Sequence, residues 1–364
     1  MKTGALLSVV DTSTAALASR EPVLGSLERV ASARGLDSDA ERIGELRTFL
    51  AHDLVDIEKD LETIERGPTP MHESAHHLIG MGGKRLRPMC VALASKLGTG
   101  FSAGARDLAV AAELVHSATL LHDDVVDMGD KRRGAPAARV LWGNAASIFA
   151  GDWLLVEALV RVRRARLSDV LDRALGVLAE MLEAEALQLA RRGSVNVTMD
   201  DYLKVVVGKT ASLFRWALFA GGRAGGLDDA QCAALEEVGS KVGVAFQVID
   251  DVLDVEGDPA VLGKGVLGDL AEGKTTYPLI VALERAPALR TELERALAGG
   301  EAHLDDRVAK IAAHAMLEVG AAAEGRAYAE RLVGEAMTAL GRVPDKPARR
   351  ALESVARSIV TRRS

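Results

Sequence analysis

The sequence predicts an all-α fold, built as one large helical bundle. Three observations carry that expectation. The 364-residue chain is 48% hydrophobic and 27% charged but only 3% aromatic, which favours helices packed by small and branched aliphatic side chains over an aromatic-rich sheet core. Apolar residues recur at helical spacing through most of the chain. No segment alternates apolar and polar residues as a half-buried strand would.

Residues 1–45 mix Ser, Thr, Gly and Ala without sustained periodicity and read as a poorly ordered or loosely docked extension. The folded domain is expected over 46–364, because no Pro/Ser-rich linker divides it. Its first helix is marked by Leu46, Phe49, Leu50, Leu54, Ile57, Leu61 and Ile64, and Gly67-Pro68 ends it. Short helices follow over Met71–Met81, stopped by Gly82-Gly83, and from Arg87 to Leu97. A long helix lined by small residues starts near Ser102 or Ala103 and runs to Asp123. The pattern then predicts helices over 144–166, 168–192, 199–221 and 228–256, and, after a Gly-rich stretch, over 276–284, 288–298, 303–318, 320–341 and 346–361.

The net charge of -7 argues against a nucleic-acid binder, which needs a basic surplus. Cys90 and Cys232 are the only cysteines, too few for a disulfide framework, so a reducing cytoplasm is the expected compartment. No apolar run reaches the roughly 18 residues needed to span a bilayer. Asp11 interrupts the apolar stretch near the N-terminus too early for a secretory signal.

Candidate chemistry begins with Asp123, Asp124 and Asp127, crowded at the end of an apolar helix. On a helix Asp123 and Asp127 share a face and repel. A divalent cation with a preference for hard oxygen ligands is the natural compensation, although one such cluster alone also fits a solvated helix end. A second cluster decides between these readings. Asp250, Asp251 and Asp254 repeat the spacing at the end of another long apolar helix. Two such ends facing one cavity would hold several Mg²⁺ ions, and because Mg²⁺ takes few protein carboxylates and completes its shell with water and phosphate, the expected ligand is a diphosphate ester. Gly82-Gly83-Lys84-Arg85-Leu86-Arg87-Pro88 places cations at a helix start, a further anion site. Lys131-Arg132-Arg133, Lys209-Thr210, Lys264 and Lys274 add cations. A competing reading comes from Glu73-x-x-His76 and Glu113-x-x-His116, the spacing of di-iron helical bundles. It leaves both aspartate clusters without a role.

Together these motifs resemble the trans-isoprenyl diphosphate synthase, or polyprenyl synthetase, family. The ordered set is the Gly-Gly-Lys-x-x-Arg-Pro segment, two Asp-Asp-x-x-Asp motifs, and a Lys-Thr and a Phe-Gln between them. The resemblance covers about 46–364 and implies the isoprenoid synthase type of all-α bundle, with a central active-site cavity. It implies Mg²⁺ held by Asp123, Asp124, Asp127, Asp250, Asp251 and Asp254 around an allylic diphosphate, with Arg132, Lys209, Lys264 and Lys274 contacting that diphosphate or lying over it. Lys84, Arg87, His116 and Arg133 would form the pocket for isopentenyl diphosphate. Lys209, Thr210 and Gln247 would support the allylic cation, and the departing diphosphate would serve as base. The family often has Pro after Lys264 and Gly two residues later, where this chain has Gly265 and Leu267. A homodimer is implied as well.

Ala118 lies five residues before Asp123, about 7.5 Å deeper along the helix, and with Thr119, Ala112 and Ala111 it replaces the aromatic floor common in short-chain members. The expected product is therefore a long-chain polyprenyl diphosphate, of the kind used for a quinone side chain, rather than a farnesyl or geranylgeranyl diphosphate. A terpene cyclase has no use for the Gly82–Pro88 segment, and a non-catalytic synthase subunit should have lost its aspartates.

Overall fold

The computed structural model describes residues 37–256, 268–297 and 306–362. Lys264, Gly265 and Leu267 fall outside the described residues, as do residues 1–36. The described chain is all-α apart from one two-stranded hairpin. Sixteen helices are described, α1 (Asp37–Glu62), α2 (Pro70–Gly80), α3 (Leu86–Lys96), α4 (Ala103–Val126), α5 (Ala138–Trp142), α6 (Asn144–Arg164), α7 (Ser168–Ala190), α8 (Met199–Val206), α9 (Ser212–Ala224), α10 (Asp229–Glu256), α11 (Gly268–Ala271), α12 (Tyr277–Arg285), α13 (Pro287–Leu297), α14 (Asp306–Glu318), α15 (Ala321–Leu340) and α16 (Pro347–Thr361). No described helix is long and apolar enough to cross a membrane.

The core is a bundle in which α4 packs on α6, α9 on α3 and α10, and α10 on α15. Leu108, Ala111, Leu114, Ala118 and Leu121 of α4 and Val248, Ile249 and Val252 of α10 are buried, so both acidic helix ends grow directly out of the core. The first helix starts at Asp37, ahead of the periodic residues that marked it, because its first turns have no apolar stripe.

Two local features were not visible in the periodicity. Lys131–Arg132 pairs antiparallel with Ala135–Pro136, forming β1 and β2. Arg133 (φ 52) and Gly134 (φ 81) are both left-handed, as a tight hairpin turn requires, and two residues per strand are too few to show an alternation. The expected helix over 199–221 is interrupted by a π turn at Val207–Ala211. There Gly208 lies against α7 so closely that a Cβ would come within 2.7 Å of the Ala184 Cβ.

The turn into α3 is fixed by a buried ion pair. Arg85 adopts φ 46 and is 7% exposed, and its guanidinium donates to Glu58 at 2.7 Å and to Glu113 of α4, itself 2% exposed. Removing one partner of a buried pair leaves an uncompensated charge and typically costs 3–5 kcal/mol. Glu113→Ala should therefore destabilise the fold by about 3 kcal/mol, the lower end because Glu58 remains, and urea denaturation measures it.

Candidate active site

The two acidic helix ends face each other across one short segment. Lys274 donates to Asp127 at 2.7 Å and to Glu272 at 2.6 Å. The N–H groups of Gly268 and Asp269, at the start of α11, each donate to Asp254 at 3.2 Å. Residues 268–274 thus tie the end of α4 to the end of α10, bringing together the motifs the sequence singled out.

Within each cluster the middle aspartate differs from its neighbours. Asp124 is 1% exposed and accepts from Arg132, whose Nε lies 2.9 Å away. Asp251 is 2% exposed and accepts from the Tyr202 hydroxyl at 2.6 Å, from the Gln247 amide at 2.9 Å, and from the Tyr277 backbone N–H. Their donors already occupy these two carboxylates. The outer aspartates are more open: Asp123 and Asp127 are partly exposed, and Asp250 is exposed.

Cations reach the outer aspartates of the first cluster. Lys209 reaches Asp123 at 3.6 Å while bonding Glu185 at 2.5 Å and Gln188 at 2.9 Å. Arg192 donates to Asp127 and, through its other terminal nitrogen, to the Val126 carbonyl at 3.2 Å. Desolvation, with the nearby carboxylates of Glu185 and Asp127, pushes Asp123 up to about 6 despite Lys209. Desolvation, with Asp250, pushes Asp251 up to about 7 despite its three donors. Asp269 is driven well above the carboxylate range by burial and by Asp251 and Asp254. Among the described residues no three His, Cys, Asp or Glu side chains converge as a ready-made cage. The open outer aspartates nonetheless fit a hard divalent cation, because Mg²⁺ takes only one or two protein carboxylates per ion.

A cationic cup lies at the start of α3. The Arg87 guanidinium sits 4.7 Å over the Phe214 ring, with its Nε buried and unpartnered. Arg133 packs against Gly83, where a Cβ would meet its Nη2 at 2.9 Å. Burial, then the charges of Arg87, Arg133, Arg132 and Arg85, hold the His116 ring well below the ordinary histidine range, so it is neutral at pH 7. Arg362 closes the cup from the C-terminal end, 3.3 Å from Asp250 and 5.0 Å over the Phe246 ring. The Lys209–Thr210 pair lies in the π turn, and the Thr210 hydroxyl donates to the Gln247 carbonyl oxygen at 2.9 Å.

The di-iron alternative finds no support among these contacts. Glu113 is taken by Arg85, Glu73 accepts from the Trp142 indole at 2.7 Å, and His76 bonds the Glu65 carbonyl at 3.0 Å. Sequence reasoning missed Glu185, Arg192, Tyr202, Asp269 and Arg362. Only Asp269 carried a local signal, its place in the Gly-Asp-Leu-Ala-Glu-Gly-Lys run.

The family model for polyprenyl synthetase matches residues 68–315. The chain belongs to the polyprenyl synthetase family. As a member matched along most of its length it is a prenyltransferase. It is 35% identical over 332 residues to the octaprenyl diphosphate synthase of Escherichia coli K12, covering 88% of this chain and 98% of that one. It is 40% identical over 223 residues to a short chain isoprenyl diphosphate synthase of Methanothermobacter thermautotrophicus, covering 60% and 69%. The crystal structure of a polyprenyl synthase from Caulobacter crescentus, complexed with calcium and isoprenyl diphosphate, superposes with a TM-score of 0.83 at 34% identity, covering 88% of this chain and 97% of that one.

The raised carboxylates set a pH dependence. A carboxyl group whose pKa is higher folded than unfolded stabilises the fold at low pH, and that contribution is lost as pH rises through the folded value. In the presence of a chelator, the contribution of Asp123 and Asp251 should therefore fall between about pH 4 and pH 7, the window set by folded values of about 6 and about 7. Urea midpoints across that window check it: the Asp123→Asn/Asp251→Asn double variant should depend on pH less steeply than the parent.

Proposed function

We propose that the chain condenses isopentenyl diphosphate head to tail with an allylic prenyl diphosphate, with Mg²⁺ as the divalent metal, to give a long-chain trans-polyprenyl diphosphate. The observation that carries this reading is the 268–274 segment, which joins the two aspartate-bearing helix ends into one acidic face, beside which the cationic cup forms a second face, with Arg362 3.3 Å from Asp250. One face suits a metal-bound diphosphate that leaves. The other suits a diphosphate that stays.

The outer aspartates, Asp123 and Asp127 at the end of α4 and Asp250 on α10, would hold Mg²⁺, which when bound acts as a Lewis acid toward the allylic diphosphate. Asp124 and Asp251 fix the helix ends through Arg132, Tyr202 and Gln247. Lys209, Lys274 and Arg132 supply positive charge where the diphosphate leaves as the carbon–oxygen bond breaks, the point at which preorganised charge lowers a barrier most. Lys264 joins them on the resemblance alone. Lys84, Arg87, Arg133 and the neutral His116 would orient isopentenyl diphosphate so that its double bond attacks the allylic cation. The π-turn carbonyls, Thr210 and Gln247 face that cation, and the released diphosphate takes the proton that restores the double bond. Apolar helix walls exclude water.

Product length follows from what lies beneath Asp123. Thr119 and Val115 continue its stripe at four-residue steps, one helical turn each. The Thr119 hydroxyl is turned to the His116 carbonyl at 2.8 Å. Val115 borders a narrow apolar crevice shared with Ala158 and Val162 of α6, Ala174 and Val177 of α7, and Trp216 of α9. No aromatic side chain stands on α4 between Asp123 and that crevice. The long-chain relative also matches along nearly its whole length, the short-chain relative along a shorter stretch. With farnesyl and isopentenyl diphosphates the purified protein should give products well beyond the twenty-carbon compound, separated by chromatography, and Ala118→Phe should shorten them. A parent enzyme that stops at twenty carbons supports the short-chain reading instead.

We also infer a homodimer. Leu175, Leu182 and Leu189, each at least half exposed, recur every seven residues along α7, and Ile148, Phe149 and Val156 are exposed on α6. A stripe of that kind on two successive helices suits a second copy of the chain. Light scattering should report a dimer for the parent, and Leu182→Glu should shift it toward monomer.

A further inference from the structure

Deep in the site a single hydrogen-bonded line connects two parts of the proposed machinery. The Tyr202 hydroxyl donates to Asp251 Oδ2 at 2.6 Å, Gln247 Nε2 donates to Asp251 Oδ1 at 2.9 Å, and Thr210 donates to Gln247 Oε1 at 2.9 Å. Tyr202 at one end is 6% exposed and Thr210 at the other is 7% exposed, so neither end exchanges partners readily with water. Charge-assisted bonds of this length are the strong ones.

The register of the line depends on the π turn. Gln247 and Asp251 are one turn apart on α10, so their partners must lie on one face of the helix opposite. Tyr202 and Thr210 are eight residues apart, and at 100° per residue a continuous α-helix would place them about 80° out of line. One extra residue absorbed by a π turn reduces eight steps to an effective seven, leaving them about 20° apart. The Ser212 N–H bonds the Val207 carbonyl across that turn. Gly243 of α10 admits the Ala211 backbone, where a Cβ would sit 2.5 Å from the Ala211 Cα. The turn thus carries Thr210 toward α10 on the face that already holds Tyr202.

Tyr202 is itself held in place. Its ring meets Tyr277 edge-on with centroids 5.9 Å apart, and Tyr277 stacks on Tyr328 at 5.6 Å. These are the chain's three tyrosines, in one row that starts at Asp251. Neither the Asp-Asp-x-x-Asp spacing nor the Lys-Thr pair points to Tyr202.

We propose that Tyr202 is a positioning residue for the prenyl transfer: its hydroxyl fixes the Asp251 carboxylate, and through Gln247 and Thr210 it sets where the second aspartate cluster stands relative to the π turn that faces the allylic cation. This rests on the function proposed above. It predicts an effect on the metal–diphosphate side of the site and none on the isopentenyl side, because the cup around Arg87 and Arg133 shares no atom with the line.

The test compares Tyr202→Phe, which keeps the ring row and removes only the hydroxyl, with Tyr328→Phe, which removes a hydroxyl from the same row away from Asp251. In the full chain Tyr202→Phe should lower kcat about tenfold or more and raise the half-saturating Mg²⁺ concentration, with the KM for isopentenyl diphosphate unchanged. Tyr328→Phe should match the parent. Independently of turnover, titration with Mn²⁺ plus inorganic diphosphate should change the tyrosine absorption of the parent and of Tyr328→Phe, and Tyr202→Phe should lose that change and bind Mn²⁺ more weakly by calorimetry. If Tyr202→Phe only lowers Tm, with kcat, Mg²⁺ dependence and Mn²⁺ binding equal to the parent, Tyr202 is structural and the proposal fails. A parent chain without prenyl transfer would sink the proposed function, and the Mn²⁺–diphosphate measurement would still decide the role of Tyr202.

Discussion

Crowded carboxylates at the ends of two core helices are the constraint around which the rest of this molecule is arranged. Like charges at one helical turn repel, and partial burial removes the water that would screen them. Every nearby element answers that cost. The β1–β2 hairpin exists to turn Arg132 back onto Asp124, the 268–274 segment delivers Lys274 to Asp127 and backbone N–H groups to Asp254, and the π turn brings Lys209 toward Asp123. Under the proposed function, the same cations and donors that satisfy single aspartates would surround the departing diphosphate.

The middle and outer aspartates divide the work. Asp124 and Asp251 are buried and saturated with donors, so they behave as the fixed base of each cluster. Asp123 and Asp127 are partly exposed and Asp250 is exposed. A motif that looks like three equivalent ligands in sequence becomes, in three dimensions, an anchored middle aspartate with more open neighbours, of which Asp254 is itself bonded to the Gly268 and Asp269 N–H groups. The same division runs through the basic segment, where Arg85 is locked to Glu58 and Glu113 while Arg87 keeps a buried nitrogen without a partner.

Most of the helices and the convergence of the two acidic ends were legible in the sequence because they rest on local patterns: 3.6-residue periodicity, Gly and Pro breaks, and carboxylates spaced one turn apart. Glu185, Arg192 and Arg362 were not, since their roles come from chain crossings far apart in sequence and a lone surface-type charge gives no local sign of its partner. Tyr202 hides for the same reason, reaching Asp251 across 49 positions. The π turn was not read either: the run from Val205 to Ser212 is rich in weak helix formers, three Val with Gly, Thr and Ser, but low propensity does not specify an extra residue, which the close approaches at Gly208 and Gly243 favour. The hairpin at 131–136 was too short for its period to be read, though its Arg-Arg-Gly turn was in plain view.

The division of labour among the aspartates can be observed directly by solving the crystal structure with Mn²⁺ and a non-ionising allylic thiolodiphosphate and locating the metals by anomalous scattering. Metal is predicted on Asp123 and Asp127 on one side and on Asp250 on the other, with the analogue's diphosphate between them against Lys209 and Lys274, and with Asp124 and Asp251 still bonded to Arg132 and Tyr202. Metal ligated by Asp124 or Asp251 in place of those donors, or an analogue bound away from the 268–274 segment, would contradict it.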